Sequence, residues 1–404
     1  MKTIETITVV GVGYIGLPTC VVLAEAGFQV CGFDIQQKVV DTLNAGTIHI
    51  DEPGLQDAFT AVHDAGRLNF STTVQPADAF YISVSTPLVC DGGDPHANLN
   101  YVWMAVDSIA AVLRPGNLVI LESTVPPGTT RRIGEMLADK SGLAPDSFYV
   151  AHCPERVIPG SMLRELREND RLVGSPNAEG RALARSIYER VLKGGQVRET
   201  DDVTAETSKL VENAYRDVNI AFANELSVLC EKLDINVNEL IELANCHPRV
   251  NIHTPGVGVG GHCIPVVPWF LCSLYPGETA LMRAARGVND AKPGWVADQV
   301  ERAVAKDQTV CVLGLAYKND VDDLRDSPSI DFANELIARG YNVICCEPNA
   351  PVGEVRGLTN VSLDDALAQS DYLIITLAHK EFRARKTEIA AKPHFDCVGM
   401  LYKM

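Results

Sequence analysis

A glycine-rich stretch ends in a single cysteine: Thr254-Pro255-Gly256-Val257-Gly258-Val259-Gly260-Gly261-His262-Cys263-Ile264-Pro265. Glycine accepts positive φ and lets a ligand or another backbone come close. Such a loop can present the Cys263 thiol to a bound molecule. A neutral thiol is a weak nucleophile until a base or a lowered pKa activates it. Alone, the loop reads equally well as a surface turn with an incidental cysteine. A second set of candidates lies upstream, where Lys209, Asn213 and Arg216 recur at i, i+4 and i+7. That spacing puts them on one face of a helix. A lysine buried there would have a lowered pKa, suited to proton transfer with a substrate hydroxyl.

The elements that must carry these groups follow from the pattern around them. Residues 203–233 show helical periodicity without Pro or Gly, which predicts a spine of ~45 Å. A second helix is expected over 237–244. At the N-terminus, 6–10 reads as a buried strand and runs into Gly11-Val12-Gly13-Tyr14-Ile15-Gly16 and an apolar helix. Residues 1–10 therefore read as the approach to a first strand and not as a signal peptide. A second strand over 30–33 ends at Asp34. This is GxGxxG in its required setting: the first Gly makes the turn, the second admits a pyrophosphate, and the third lets helix and strand pack. Asp34 would accept hydrogen bonds from a ribose 2′-hydroxyl and repel a 2′-phosphate, which favours NAD over NADP. The competing reading is a glycine turn that has lost its ligand.

Further strands are expected over 79–84, 117–121 and 148–151. They end in Ser85-Thr86-Pro87, Glu122-Ser123-Thr124 and His152-Cys153-Pro154-Glu155-Arg156. Ligands of open α/β sheets sit beyond the carboxyl ends of the strands, so Thr86, Thr124 and Glu155 are candidate lining residues. Each is equally plausible as a cap or turn residue. Strands over 309–313, 341–346 and 372–377 predict a second βαβ unit, and the acidic turn 320–326 reads as a solvated loop or a lid. The fold class expected is α/β: two Rossmann-like parallel-sheet domains joined by a central helical region with one long helix. The boundaries read as 1–195 for the dinucleotide domain, 196–304 for the helical region with the cysteine loop, and 305–404 for the second nucleotide-type domain.

Composition narrows the partners. A net charge of −17 disfavours nucleic acid or an anionic membrane. No apolar run approaches the ~20 residues of a membrane helix. Twelve cysteines without CxxC pairs suit a reduced cytoplasmic protein. His152-Cys153 and His262-Cys263 are poorly spaced as metal ligands, so no metal is expected.

Taken together, the motifs resemble those of the UDP-glucose/GDP-mannose dehydrogenase family. The resemblance rests on GVGYIGLP from Gly11, ESTVP from Glu122, CPERVIPG from Cys153, KLVENAYRDVNIAFANE from Lys209, HPRVNI from His247, GVGGHCIP from Gly258, and the segment 314–329. It implies oxidation of a sugar CH2OH to a carboxylate with two NAD in turn, through a thiohemiacetal and a thioester on Cys263. It further implies that Lys209 and Asn213 stabilise the oxyanion and that Glu155 manages protons. Gly11, Gly13, Tyr14, Ile15, Gly16, Asp34, Thr86, Thr124 and Arg325 are implied to contact NAD. Arg156, Val157, Lys209, Asn213, Arg216, His247, Arg249, Gly260, Tyr317 and Lys318 are implied to contact a UDP-sugar, with His247 and Arg249 offered across a homodimer or higher homo-oligomer. The sugar implied is N-acetyl-D-mannosamine. N-acetylglucosamine or another hexose is one alternative, and a catalytically impaired sugar-nucleotide-binding paralogue is a second. Two departures stand out. Val267 occupies a position where the family usually has Asp, and Asp396-Cys397-Val398-Gly399 lacks the family's Lys.

Overall fold

Strand Thr6–Val10 (β1) is buried at four of its five positions, because it is flanked on both sides within a parallel sheet. The computed structural model describes residues 3–402; the outermost positions of the N-terminal segment and of the last expected domain lie outside these. The chain divides into two units, Met1–Val211 and Glu212–Met404.

In the first unit, β1 pairs in parallel with Gln29–Phe33 (β2) on one side and Ala79–Ile82 (β4) on the other. Leu68–Ser71 (β3), Leu118–Leu121 (β5), Tyr149–His152 (β6), Arg171–Gly174 (β7) and Val197–Thr200 (β8) complete the order β8-β7-β6-β5-β4-β1-β2-β3. Only the β6–β7 pair is antiparallel among the described pairings of this sheet. The strand order reverses between β1 and β4, which opens a crevice at their carboxyl ends. Two apolar clusters cover the faces. One is built on Leu17, Val21, Leu23 and Phe28, the other on Val102, Val106, Ile109 and Leu137.

The spine is a helix, Asp202–Leu233, of 32 residues, and the division between the units falls within it. Its first turns are tied to the first unit. Asp202 accepts from Arg131 Nε at 2.9 Å, and buried Glu206 accepts from the backbone N–H of Gly128 at 2.6 Å and of Thr130 at 2.7 Å. Those N–H groups open the helix Thr129–Ser141, where a carboxylate is favoured by unpaired donors and the helix dipole.

In the second unit, Thr309–Leu313 (β9), Asn342–Cys346 (β10), Gly353–Val355 (β11), Leu358–Asn360 (β12), Tyr372–Ile375 (β13) and His394–Asp396 (β14) form a sheet ordered β11-β12-β10-β9-β13-β14. Helix Val237–Asn245 follows the spine, with the Asn236 side chain capping its first turn. A further helix, Ala280–Ala303, contains Pro293. The sequence reading names no helix here, and the Pro293-Gly294 pair inside it is ordinarily a helix-breaking signal.

Candidate active site

The first unit builds the dinucleotide turn. Gly11 sits at φ 91°, and its N–H donates to Phe33 O at 2.9 Å. A Cβ on Gly11 would lie 2.6 Å from Ser83 O, and one on Gly16 would lie 1.8 Å from Gly11 O. These two positions therefore exclude a side chain. A Cβ on Gly13 would meet nothing within 4 Å, which leaves its backbone open to a phosphate. Ile15 precedes the helix Gly16–Glu25, whose first residues face the turn. Tyr14 is exposed, with its hydroxyl 3.4 Å from Asp51 O. Asp34 Oδ2 lies 3.5 Å from Val12 N, so the acid expected to hold a ribose stands beside the turn expected to hold the pyrophosphate. Thr86 Oγ1 donates to Thr124 O at 2.8 Å. The two strand-end threonines expected to line the crevice thus come together. The turn, the acid and this pair fit a nicotinamide dinucleotide.

Glu155 is buried and chelated by donors. Arg171 Nη1 lies 2.7 Å from its Oε2, and the N–H groups of Arg156 and Val157 donate to its Oε1 at 2.6 and 2.9 Å. This chelation fixes residues 155–157 as one turn. Arg156 also donates to Asp170 O. Lys209 is half-buried on the spine.

The second unit builds the cysteine loop. Gly256 N–H donates to Asn224 Oδ1 on the spine at 2.9 Å, and Asn224 Nδ2 donates to Asn289 Oδ1 at 2.9 Å. Asn289 Nδ2 in turn reaches Asp217 Oδ1 at 2.8 Å, where Arg286 Nη1 also donates at 2.6 Å. At the far end of the loop, Gly261 N–H donates to Asp326 O at 3.1 Å. A Cβ on Gly260 would lie 2.5 Å from Pro328 Cδ, and one on Gly261 2.8 Å from the Tyr317 ring. The glycines thus let the loop lie flat against residues 317–328, and Cys263 emerges exposed from it. Burial, together with the proximity of Asp323 and Cys263, pushes the Tyr317 phenol up. The expected Tyr317 and Cys263 are therefore neighbours. Exposed Lys318 follows directly. The segment carrying both is pinned by buried Glu347, which accepts from the N–H groups of Leu315 and Ala316 at 2.8 and 2.9 Å. Although burial pushes Glu347 up, His379 at 3.1 Å and these N–H groups hold it below its ordinary value.

Asn213 is 6 % exposed, and its Nδ2 has no hydrogen-bond partner among the described residues. A buried amide without a partner costs about 1–3 kcal/mol, which suits a donor reserved for a ligand. Arg216 is exposed, and its charge, after burial, lowers the pKa of His253. His247 and Arg249 are exposed and adjacent, with Arg249 N 3.3 Å from His247 Nδ1. Arg325 belongs to this second unit, where Asp323 binds its guanidinium at 2.7 Å; the other residues expected to touch NAD belong to the first.

Both departures in the sequence prove to be packing positions. Val267 is 4 % exposed and its N–H donates to Cys263 O at 2.9 Å. Val398 packs against the apolar clusters of the second sheet. Sequence reasoning missed His262, which lies 3.1 Å from Asp326 and 3.7 Å from Asp323. Its place beside Cys263 was the available signal. It also missed the Asn224–Asn289 link and Arg171, whose partners are distant in sequence and carry no local signature.

A doubly wound dinucleotide domain, a second nucleotide-type sheet and an exposed cysteine on a fixed turn define a nicotinamide-dependent dehydrogenase of nucleotide-linked substrates. The chain belongs to the UDP-glucose/GDP-mannose dehydrogenase family. The family's NAD binding domain matches residues 5–192, its central domain 203–291 and its UDP binding domain 311–403. NAD is its cofactor. It is 45% identical to the UDP-N-acetyl-D-mannosamine dehydrogenase of Campylobacter jejuni, over 95% of this chain and 97% of that one. It is 44% identical to an NDP-N-acetyl-D-galactosaminuronic acid dehydrogenase of Ralstonia nicotianae, over 98% and 96%. Among solved structures, the UDP-D-ManNAc dehydrogenase of Pyrococcus horikoshii matches with a TM-score of 0.90 at 38% identity, over 99% of this chain and 97% of that one.

Proposed function

We propose that the protein oxidises UDP-N-acetyl-D-mannosamine at C6 to the uronate with two NAD, by way of covalent intermediates on Cys263. The observation that carries this reading is the exposed Cys263 thiol on a turn fixed at both ends beside Tyr317. NAD, when bound, supplies the hydride acceptor for each oxidation. The chain's residues do the rest. Lys209 takes the C6 hydroxyl proton, and the reserved Asn213 amide holds the oxygen as charge develops on it. The Cys263 sulfur adds to the resulting aldehyde. This gives a thiohemiacetal that carries a second transferable hydride, which the bare aldehyde lacks. Its oxidation leaves a thioester, and water cleaves it to the carboxylate and the free thiol. Glu155, held in place by Arg171 at 2.7 Å, manages protons during thioester formation or hydrolysis. Arg156, Val157, Arg216, His247, Arg249, Gly260, Tyr317 and Lys318 bind the UDP-sugar, the cations matching its diphosphate. Arg325 contacts NAD together with the residues of the glycine turn.

Three functional regions follow: 1–195 for NAD, 196–304 for the cysteine loop and self-association, and 305–404 for UDP-sugar. Tyr215, Phe222, Leu229 and Leu233 are all exposed on the spine, and such a stripe at helical spacing fits a second copy of the chain. Twelve free cysteines suit the cytoplasm. Among the described residues no helix is long and apolar enough to cross a membrane.

The galacto isomer is a second reading, favoured by the 44% identity to the Ralstonia relative. The test is NADH formation with UDP-N-acetylmannosamine, UDP-N-acetylglucosamine and UDP-N-acetylgalactosamine supplied separately. The manno sugar is expected to give the highest kcat/KM; a higher value with either other sugar would reassign the substrate.

A further inference from the structure

Directly beneath the dinucleotide turn lies a carboxyl group that the reaction above does not use. Glu122 follows β5, is 2 % exposed, and takes hydrogen bonds from Thr19 Oγ1 at 3.1 and 3.3 Å and from Ser83 Oγ. Thr19 belongs to the helix that opens at Gly16. Ser83 is the residue against which Gly11 and Gly16 close, at 2.6 Å to its O and 3.2 Å to its Cβ from the Cβ positions those glycines lack. We propose that Glu122 is a positioning residue that must carry a proton for the turn to accept the NAD pyrophosphate, so that NAD binding takes up a proton. The inference rests on NAD occupying the Gly11–Gly16 turn.

The partition of protons follows from the partners. Glu155 has an arginine and two backbone N–H groups, all donors with no acceptor role, and these stabilise its charged form. Glu122 has two hydroxyls, which serve a carboxyl and a carboxylate alike. Burial pushes Glu122 up to about 7, Glu155 adds to this, and Ser83, Arg171 and Thr19 oppose it. The other groups facing it are neutral in this range. Burial pushes the Cys20 and Cys153 thiols and the Tyr81 and Tyr188 phenols up. Near the ribose acid, burial keeps His49 below its ordinary 6.5. As pH rises through about 7, Glu122 gains a charge in the low-dielectric floor of a site built for an anion. The repulsion weakens NAD binding.

Calorimetric titration of the full chain with NAD alone, at pH 6.5 and 8.5, tests this. If only the protonated form binds, a carboxyl titrating at about 7 makes the dissociation constant rise roughly 25-fold across that span. In buffers of different ionisation enthalpy at pH 7.5, binding should take up a net fraction of a proton. Glu122→Gln should abolish both effects. Ser83→Ala, which leaves the carboxyl in place, should retain proton uptake. A flat dissociation constant without proton uptake in the unaltered protein overturns the proposal even if the glutamine variant does not fold, and so does an undiminished pH dependence in that variant. Failure to bind NAD at either pH overturns the cofactor site itself, and the proposal with it.

Discussion

Eight of the twelve cysteines are buried and Cys263 is exposed, so the thiol expected to react is one of the few a substrate can reach. Sequence marked it through the glycines before it, since their purpose, to lie against Tyr317 and Pro328, is a local need that glycine alone meets. The helix that carries Lys209 and Asn213 and the glycine turn beside Asp34 were legible for the same reason, because helical spacing and the GxGxxG setting are local patterns. Arg171, which holds Glu155 in place, was not, because it sits on another strand. Cys263→Ser removes the proposed nucleophile, and uronate formation should fall roughly 10³-fold. Quantifying uronate by chromatography checks this; unchanged output would rule out the covalent route. Val267 cannot activate water. If thioester hydrolysis is slow for that reason, rapid mixing should show a burst of NADH followed by a slower steady state. A progress curve with no burst would place the slow step before hydrolysis.

At the scale of elements, the spine helix was legible nearly residue for residue: expected over 203–233, it runs over Asp202–Leu233. Its periodicity was uninterrupted. Strand ends were off by one or two residues where a strand fades into its loop, as in 79–84 against the observed Ala79–Ile82. Helix Ala280–Ala303, with Pro293 inside it, was not read from the sequence. That helix supplies Asn289 and Arg286, which bond Asn224 and Asp217 on the spine, and Asn224 in turn holds Gly256 of the cysteine loop. Asn224→Ala leaves the buried Asn289 amide and the Gly256 N–H without this partner, costing about 1–3 kcal/mol. The melting temperature should fall, and alkylation of Cys263 by iodoacetamide should change in rate as its loop loosens. An unaltered alkylation rate would deny the loop anchor.

For the whole molecule, the apolar stripe on the spine bears on assembly. Phe222 and Leu229 are 47% and 48% exposed, an unusual cost in water for side chains at helical spacing. A double substitution, Phe222→Glu and Leu229→Glu, should convert a dimer or larger assembly to monomer in light scattering. An unaltered mass would place the contact elsewhere. The sequence foresaw two parallel sheets and a helical region between them because each βαβ unit announces itself locally. It did not foresee that the division of the chain would fall inside the spine, since nothing in an unbroken helical pattern marks such a boundary.

The central claim is a four-electron oxidation by one chain, and its most direct test is the number of NADH formed per UDP-N-acetylmannosamine consumed. The account predicts two, with the uronate as product and no free aldehyde. One NADH per sugar, with an aldehyde released, would contradict it.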